Sequence, residues 1–158
     1  MNDKFTLVQR IALVILRVVI GWHFLYEGIA KLLKGNWSAA GYLSQSKGFL
    51  APVFQWMANT DSVLTIINQL NIWGLIAIGL GLILGAFTRL AAVFGMLLIL
   101  LYYFANPPFV GFFYTLPMEG NYLIVNKNIV ELAALFLIAV TYSGRFLGLD
   151  RIIQKLTK

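Results

Sequence analysis

Four long apolar segments constrain the fold of this chain more than any other feature. They cover residues 11–33, 62–85, 87–105 and 124–144. An α-helix needs about 20 mostly apolar residues to cross the roughly 30 Å hydrocarbon core of a bilayer. The chain is 60% hydrophobic and 11% charged, whereas about a quarter of a soluble domain is charged. We therefore predict an all-α membrane protein, a four-transmembrane-helix bundle that forms one domain over residues 1–158.

The distribution of lysine and arginine predicts the orientation. Seven basic residues lie on one predicted side: Lys4, Arg10, Arg89, Arg145, Arg151, Lys155 and Lys158. The other side carries Lys34, Lys47 and Lys127, with Lys31 at the border. The positive-inside rule then places both termini in the cytoplasm. We expect an uncleaved first helix, a bacterial-type inner membrane and contact with anionic lipid. The scattered basic residues argue against nucleic acid as a partner.

Both predicted outer loops are long and rich in aromatic residues. In residues 34–61, four apolar side chains recur at helical spacing around a proline: Leu50, Val53, Phe54 and Met57. This pattern predicts a short interfacial helix. Residues 106–122 contain three prolines, which prevent a regular helix. The loops either form an interfacial aromatic belt or act as lids over a site that opens to the outer leaflet.

Ionisable side chains interrupt the first apolar segment. At about 100° per residue, Glu27, Lys31 and Arg17 lie about 40°, 80° and 120° from His23, within one third of the helix circumference. The fourth segment also begins with polar residues: Asn126, Lys127, Asn128 and Glu131. Because antiparallel helices bring these sets to one depth, we expect Glu27 to pair with Lys31 or Lys127, and Glu131 with Lys31 or Arg17. Pairing removes much of the roughly 2.5–3.5 kcal/mol that each isolated charge costs.

Two interpretations of this polar cluster stay open. Its excess of cations favours a site for an anion or an electron-rich oxygen. In that case His23, Glu27 and Glu131 are the candidate catalytic residues that move protons, and Arg17, Lys31, Lys127 and Asn128 bind the anion or cofactor. Alternatively the cluster is structural, with lysines that reach the interface and an intrahelical pair of Glu27 with Lys31.

The composition excludes several kinds of redox centre. The chain has no cysteine, which excludes disulfides, thiolate nucleophiles and iron–sulfur ligation within it. Its single histidine excludes bis-histidine haem and the usual zinc triad within one chain. We therefore expect no metal or haem. The function then depends on an organic cofactor or a partner subunit, or it consists of binding alone.

Glycines recur where helices could approach each other closely. They are Gly21 and Gly28 in the first segment, and Gly74, Gly79, Gly81 and Gly85 in the second. Small residues at helical spacing permit close contact between helices. We expect them to pack helices within the bundle, with dimerisation as the alternative.

Four short motifs occur in a recognisable order. They are the pattern R…G…F…EG…K in the first segment, NWSAAGYL after it, GLGLILGAFTRLAA between the second and third, and NKNIVELAAL at the fourth. Together they resemble the DoxX/DoxD family of small four-helix membrane proteins over most of the chain. The loop NWSAAGYLSQSKGF is closer to the DoxD type, a subunit of thiosulfate:quinone oxidoreductase. The family-like positions are Arg17, Gly21, Gly28, Lys31, Gly85, Arg89, Asn128 and Glu131.

This resemblance implies a quinone-linked oxidoreductase subunit that acts on thiosulfate or a related sulfur compound. Its cofactor would be quinone, and its partners would be membrane lipid and either a second subunit or further copies of the chain. Because the chain has no cysteine to carry sulfur, an anion would be bound by charge alone. The alternative is a non-enzymatic membrane scaffold that recruits or stabilises another enzyme through the glycine-lined second helix and the apolar loops.

Overall fold

The computed structural model describes residues 5–116 and 122–156, and these ranges are helical with connecting loops. The elements are α1 Leu7–Leu33, α2 Ala40–Ser44, α3 Ala51–Asn59, α4 Asp61–Leu84, α5 Thr88–Ala105, α6 Lys127–Thr141, a 3₁₀ turn at Ser143–Arg145, and α7 Leu149–Leu156. Helices α1, α4, α5 and α6 form a bundle. Lys4, Lys158 and Pro117, on which the predicted topology and second loop partly depend, lie outside the described residues.

Among the described helices, α1, α4 and α5 are long and apolar enough to cross a membrane. They have 27, 24 and 18 residues, and each contains a long apolar run with few charged side chains. Their bounds agree closely with the predicted segments. The first helix begins four residues earlier than position 11 because Thr6 and Gln9 form a capping box, in which the Thr6 amide donates to Gln9 Oε1 at 2.8 Å.

The fourth predicted segment is shorter than expected. Residues 124–144 were predicted to span, whereas α6 has 15 residues and is therefore about 22 Å long. It begins after Asn126, whose side chain accepts a hydrogen bond from the Ile129 amide at 3.3 Å. It ends at Tyr142, whose φ of 53° is left-handed and stops the helix. Helix α6 is therefore shorter than α1, α4 and α5.

Glycines set the close antiparallel contact between α1 and α4. A Cβ added to Gly79 would lie 2.5 Å from the Leu25 amide nitrogen, and one on Gly21 would lie 2.9 Å from Leu82 Cβ. Gly28 makes a similar approach to α4. The predicted role in packing within the bundle is confirmed at these positions. It is wrong for Gly74, because a Cβ there would meet nothing within 4 Å.

The bundle has an apolar interior and an apolar exterior. Its central side chains are almost fully buried: Phe24, Leu82, Ala92, Leu135 and Ile138. Large apolar side chains are also exposed along the outside of all four helices, among them Ile15, Leu70, Leu97 and Phe136. Helices that are apolar all round are typical of proteins embedded in lipid. These surfaces are consistent with a protein that contacts membrane lipid.

The first loop folds onto the bundle as α2 and α3. The predicted helix around Pro52 exists, but much of its apolar side contacts protein. Phe54 is buried in a second hydrophobic cluster with Leu43 and Ala105, against which Leu50 and Met57 pack. Val53 and Trp56 remain exposed. The stripe that was expected to face the interface therefore mainly stabilises a helical cap.

The opposite end of the bundle is closed by the segment that follows α6. The Asp150 carboxylate accepts hydrogen bonds from the amides of Phe87 at 2.7 Å and Thr88 at 3.0 Å, at the start of α5. The Asp150 amide donates to the Gly85 carbonyl at 2.8 Å. A carboxylate at a helix N-terminus satisfies free amides and interacts favourably with the helix dipole.

Candidate functional site

A cavity of about 1010 Å³ lies at the end of the bundle covered by α2 and α3. Its acidic and basic side chains come from α1, α6 and their ends: His23, Glu27, Lys31, Lys34, Lys127 and Glu131. Pockets of roughly 300–1,000 Å³ accommodate most small-molecule ligands. Three of the four stripe residues of α1 thus share one interior with the polar start of α6, as the sequence predicts.

Lys31 is a tightly held cation of this cavity. Its side chain is 15% exposed and forms the predicted pair with Glu27, with 3.8 Å between Nζ and Oε2. Nζ also lies 4.8 Å from the centre of the Trp37 ring and 5.6 Å from that of Tyr102. Aromatic faces attract an ammonium group, most strongly where water is excluded. The lysine charge is therefore held at the cavity wall rather than extended into bulk water.

A hydrogen-bonded chain links Lys31 to α4 and α5. Lys31 Nζ donates to Asn71 Oδ1 at 3.1 Å, and Asn71 Nδ2 donates to the Tyr102 hydroxyl oxygen at 2.6 Å. The Tyr42 hydroxyl donates to the Tyr102 backbone carbonyl at 3.0 Å. Three helices of the bundle and α2 thus meet at one polar point in the cavity wall.

The second carboxylate, Glu131, pairs with His23. The distance from His23 Nδ1 to Glu131 Oε1 is 3.6 Å, and the side chains are 52% and 12% exposed. The expectation that Glu131 pairs with Lys31 or Arg17 is wrong, because α1 and α6 meet at His23. Lys127 lies one turn earlier on α6, and the buried Asn128 also lines the cavity.

Both loops contribute to the cavity wall. Trp37 and Tyr42 come from the first loop, while Tyr114 and Leu116 come from the second. The Gln45 side chain joins the loops by accepting from the Leu116 amide at 3.1 Å. Burial raises the pKa of Tyr42, and it raises the pKa of Tyr114 to about 12. Both hydroxyls are therefore protonated at neutral pH, and each donates to a backbone carbonyl, Tyr42 to that of Tyr102 and Tyr114 to that of Pro107.

Arg17 does not belong to this site. It is 2% exposed and lies at the opposite end, where Nη2 donates to the Leu147 carbonyl at 2.6 Å. Fourteen residues separate it from Lys31, which corresponds to about 21 Å along the helix axis. The angle around the helix places Arg17 near the face of Lys31 but says nothing about this separation in depth. The predicted role of Arg17 in binding a ligand is therefore wrong for this cavity.

Sequence reasoning missed Asn71, Tyr102 and Trp37. Asn71 carried a usable signal, since an amide inside an apolar segment requires a hydrogen-bond partner. Tyr102 and Trp37 carried none, because aromatic residues near helix ends are common in membrane proteins. Only the folded chain brings these side chains to Lys31.

Comparisons with known proteins identify a family. The DoxX family model matches residues 12–106, more than half of the chain, from α1 to the end of α5. The motif NKNIVELAAL, with Asn128 and Glu131, lies beyond this match, although the resemblance was expected to cover most of the chain. No curated protein and no solved structure matches the sequence.

Proposed function

This chain belongs to the DoxX family, and on that premise we propose that it is a quinone-linked membrane oxidoreductase subunit. The observation that carries the proposal is the setting of Lys31. This lysine is held by Glu27, Asn71 and two aromatic rings in a cavity of about 1010 Å³. Such a site offers a fixed cation to an electron-rich oxygen and apolar walls to a ring.

The residues present fit a quinone. Aromatic and aliphatic side chains make up much of the cavity lining, including Phe24, Leu75 and Tyr102. A quinone presents a flat apolar ring with two carbonyl acceptors, and Lys31 Nζ is a donor for one of them. Bound quinone would supply two-electron, two-proton redox chemistry.

Chain residues would bind the ring and move the protons. Lys31 would hold a carbonyl oxygen of the quinone, and Glu27 would compensate the charge of the lysine. His23 is half exposed and Glu131 is largely buried, so this pair can carry a proton between the cavity and its mouth. Lys127 and Asn128 add a donor at the start of α6 and a buried amide. The two loops act as lids that exclude water.

The electron donor in this proposal is thiosulfate or a related sulfur anion, as in the DoxD type. Three lysines and two glutamates line the cavity, which favours approach of an anion. The chain has no cysteine, so the sulfur chemistry is assigned to a second subunit.

The proposed topology has four crossings in a bacterial-type inner membrane, with both termini in the cytoplasm and the whole chain as one domain. In this topology α6 crosses the membrane together with its flanking residues. This part of the chain runs antiparallel to α5: Leu135 contacts Gly95, and the Ile124 carbonyl accepts a hydrogen bond from Tyr103. The end with Arg89, Arg145 and Arg151 is cytoplasmic by the positive-inside rule. The cavity then opens toward the outer half of the bilayer.

Quinone titration tests the proposed function. The purified chain in lipid nanodiscs is titrated with duroquinone, and binding is followed by quenching of tryptophan fluorescence, because Trp37 lines the cavity. We expect saturable binding that Lys31→Met weakens at least tenfold, because the variant loses the cationic donor. Lys155→Met, the same change on α7, should bind like the wild type. Absence of saturable binding, or equal affinity of Lys31→Met, would overturn the proposal.

A further inference from the structure

The direction of the hydrogen bonds at Lys31 assigns a role to Tyr102. A protonated lysine can donate hydrogen bonds but cannot accept them. The Asn71 atom that faces Lys31 must therefore be the carbonyl oxygen, as it is at 3.1 Å. The Asn71 amide nitrogen then faces Tyr102 and donates to its hydroxyl oxygen at 2.6 Å. The lysine charge thus fixes the orientation of the asparagine amide.

This arrangement leaves the hydroxyl hydrogen of Tyr102 free to donate. Because the hydroxyl oxygen of Tyr102 accepts from Asn71, its own O–H must donate elsewhere. Within the part of the chain that the structure describes, that hydroxyl donates to no protein acceptor, and Tyr102 lines the cavity. Lys31 likewise has ammonium hydrogens beyond the one given to Asn71. Two donors, joined through one amide, therefore border the same cavity.

We propose that Lys31 and Tyr102 form a donor pair for one acceptor oxygen of the ligand, and that Asn71 is the positioning residue that aims both. This deepens the proposed function and rests on it for the ring. The ligand class is a molecule with an unprotonated, electron-rich oxygen: a quinone carbonyl, or an oxygen of a small anion. A ring without such an oxygen leaves both donors unsatisfied, so the site rejects it.

Several contacts hold the donor pair in place. The Tyr42 hydroxyl donates to the Tyr102 backbone carbonyl, and the Tyr42 and Tyr102 rings meet edge to face with centroids 6.0 Å apart. Trp37 lies over the Lys31 ammonium. Donors that are fixed before a ligand binds lose little entropy on binding.

The first test compares two neighbouring tyrosines by duroquinone titration in nanodiscs. Tyr102→Phe removes the proposed donor and should weaken binding about five- to tenfold. Tyr103→Phe is the matched control, because its hydroxyl donates to the Ile124 carbonyl at 3.0 Å and Tyr103 does not line the cavity. It should leave affinity unchanged. Equal affinity of Tyr102→Phe and wild type overturns the proposed donor pair. The Lys31→Met titration tests the quinone site independently of Tyr102.

The second test detects positioning by Asn71. In Asn71→Asp both side-chain oxygens are acceptors, so the Tyr102 hydroxyl donates to Asp and is turned from the ligand. The affinity ratio between Tyr and Phe at position 102 should fall from about five- to tenfold to about one in this background. Any effect of the added charge cancels in the ratio. An unchanged ratio overturns the role of Asn71. If Tyr102→Phe does not fold, the affinity of Asn71→Asp is compared with that of the wild type, and equal affinity overturns the proposal.

The third test separates the possible ligands. Durene has the methylated ring of duroquinone without its oxygens, so it should not displace duroquinone. Displacement by durene at equal concentration overturns the proposed specificity. Should wild type bind no duroquinone, the proposed quinone function fails, and thiosulfate titration followed by the same fluorescence decides the donor pair. Saturable thiosulfate binding that Tyr102→Phe weakens supports it, and no binding overturns it.

Discussion

The guanidinium of Arg17 donates a hydrogen bond to the backbone carbonyl of Leu147 at 2.6 Å, across 130 residues of sequence. This contact fastens the first helix to the segment that follows the last helix of the bundle. The same segment carries Asp150, which caps α5. A residue that the stripe pattern assigns to ligand binding therefore connects two segments at the end of the molecule opposite the cavity.

Replacing Arg17 should lower stability without changing the cavity. In Arg17→Met the Leu147 carbonyl loses a hydrogen bond from a charged donor, and such a bond contributes about 2 kcal/mol. We expect a lower thermal unfolding midpoint in detergent, with duroquinone affinity unchanged below that temperature. Arg89→Met, at an exposed arginine, should change the midpoint much less. Loss of quinone binding by folded Arg17→Met would show that the residue acts at the site after all.

Two glycines of α4 should respond in opposite ways to alanine. Gly79→Ala places a methyl group 2.5 Å from the Leu25 amide nitrogen, so α1 and α4 must separate, at a cost of about 1–3 kcal/mol. Gly74→Ala meets no atom within 4 Å and should gain up to about 1 kcal/mol from helix propensity. Thermal unfolding of the two variants measures the difference. Equal midpoints would contradict the close packing of α1 against α4.

Alkaline pH should destabilise the cap over the cavity through Tyr114. Burial raises its pKa to about 12 in the folded chain, against about 10 in the unfolded chain. Between these values the unfolded state loses the proton first, so this contribution to stability is complete below pH 10 and is lost as the pH rises to about 12.

A tyrosine substitution isolates that contribution. Tyr114→Phe should reduce the fall in unfolding midpoint between pH 9 and 11.5, and it should also lower the midpoint at neutral pH, because the hydroxyl donates to the Pro107 carbonyl at 2.7 Å. Tyr26→Phe, at an exposed tyrosine of α1, serves as the matched change. An alkaline profile of Tyr114→Phe identical to that of wild type would refute the assignment.

Single cysteines should report the orientation of the bundle, since the chain contains none of its own. Lys34 and Lys155 are both exposed and lie at opposite ends of the molecule. In spheroplasts, a membrane-impermeant maleimide should label Lys34→Cys, because the proposed topology places it outside. It should label Lys155→Cys only after lysis. The reverse pattern would invert the topology, and labelling of both before lysis would place the two ends on one side.

The long helices could be predicted because their signal is local. Apolar runs of sufficient length identified α1, α4 and α5 within a few residues, and helical periodicity identified the common face of His23, Glu27 and Lys31. The predicted fourth segment is three residues too long at each end, because the apolar residues Ile124 and Val125 precede the Asn126 cap and a left-handed φ at Tyr142 ends the helix. Hydropathy does not register a single backbone torsion. The apolar stripe of α3 predicts an interfacial helix, because periodicity shows that one face is apolar but does not show what covers that face.

Composition and periodicity by themselves determined that this chain is a helical membrane protein with a polar face on its first helix. Tertiary structure alone decided which of those polar groups share a cavity and what each one contacts. Lys31 reaches Asn71 across 40 residues, and Asn71 reaches Tyr102 across 31. Such pairs depend on the register in which helices pack, and that register is set by close approaches such as Gly79 against Leu25. The sequence shows the angle of a side chain around its helix, whereas the depth of that side chain in the bundle and its contact partner depend on how the helices pack.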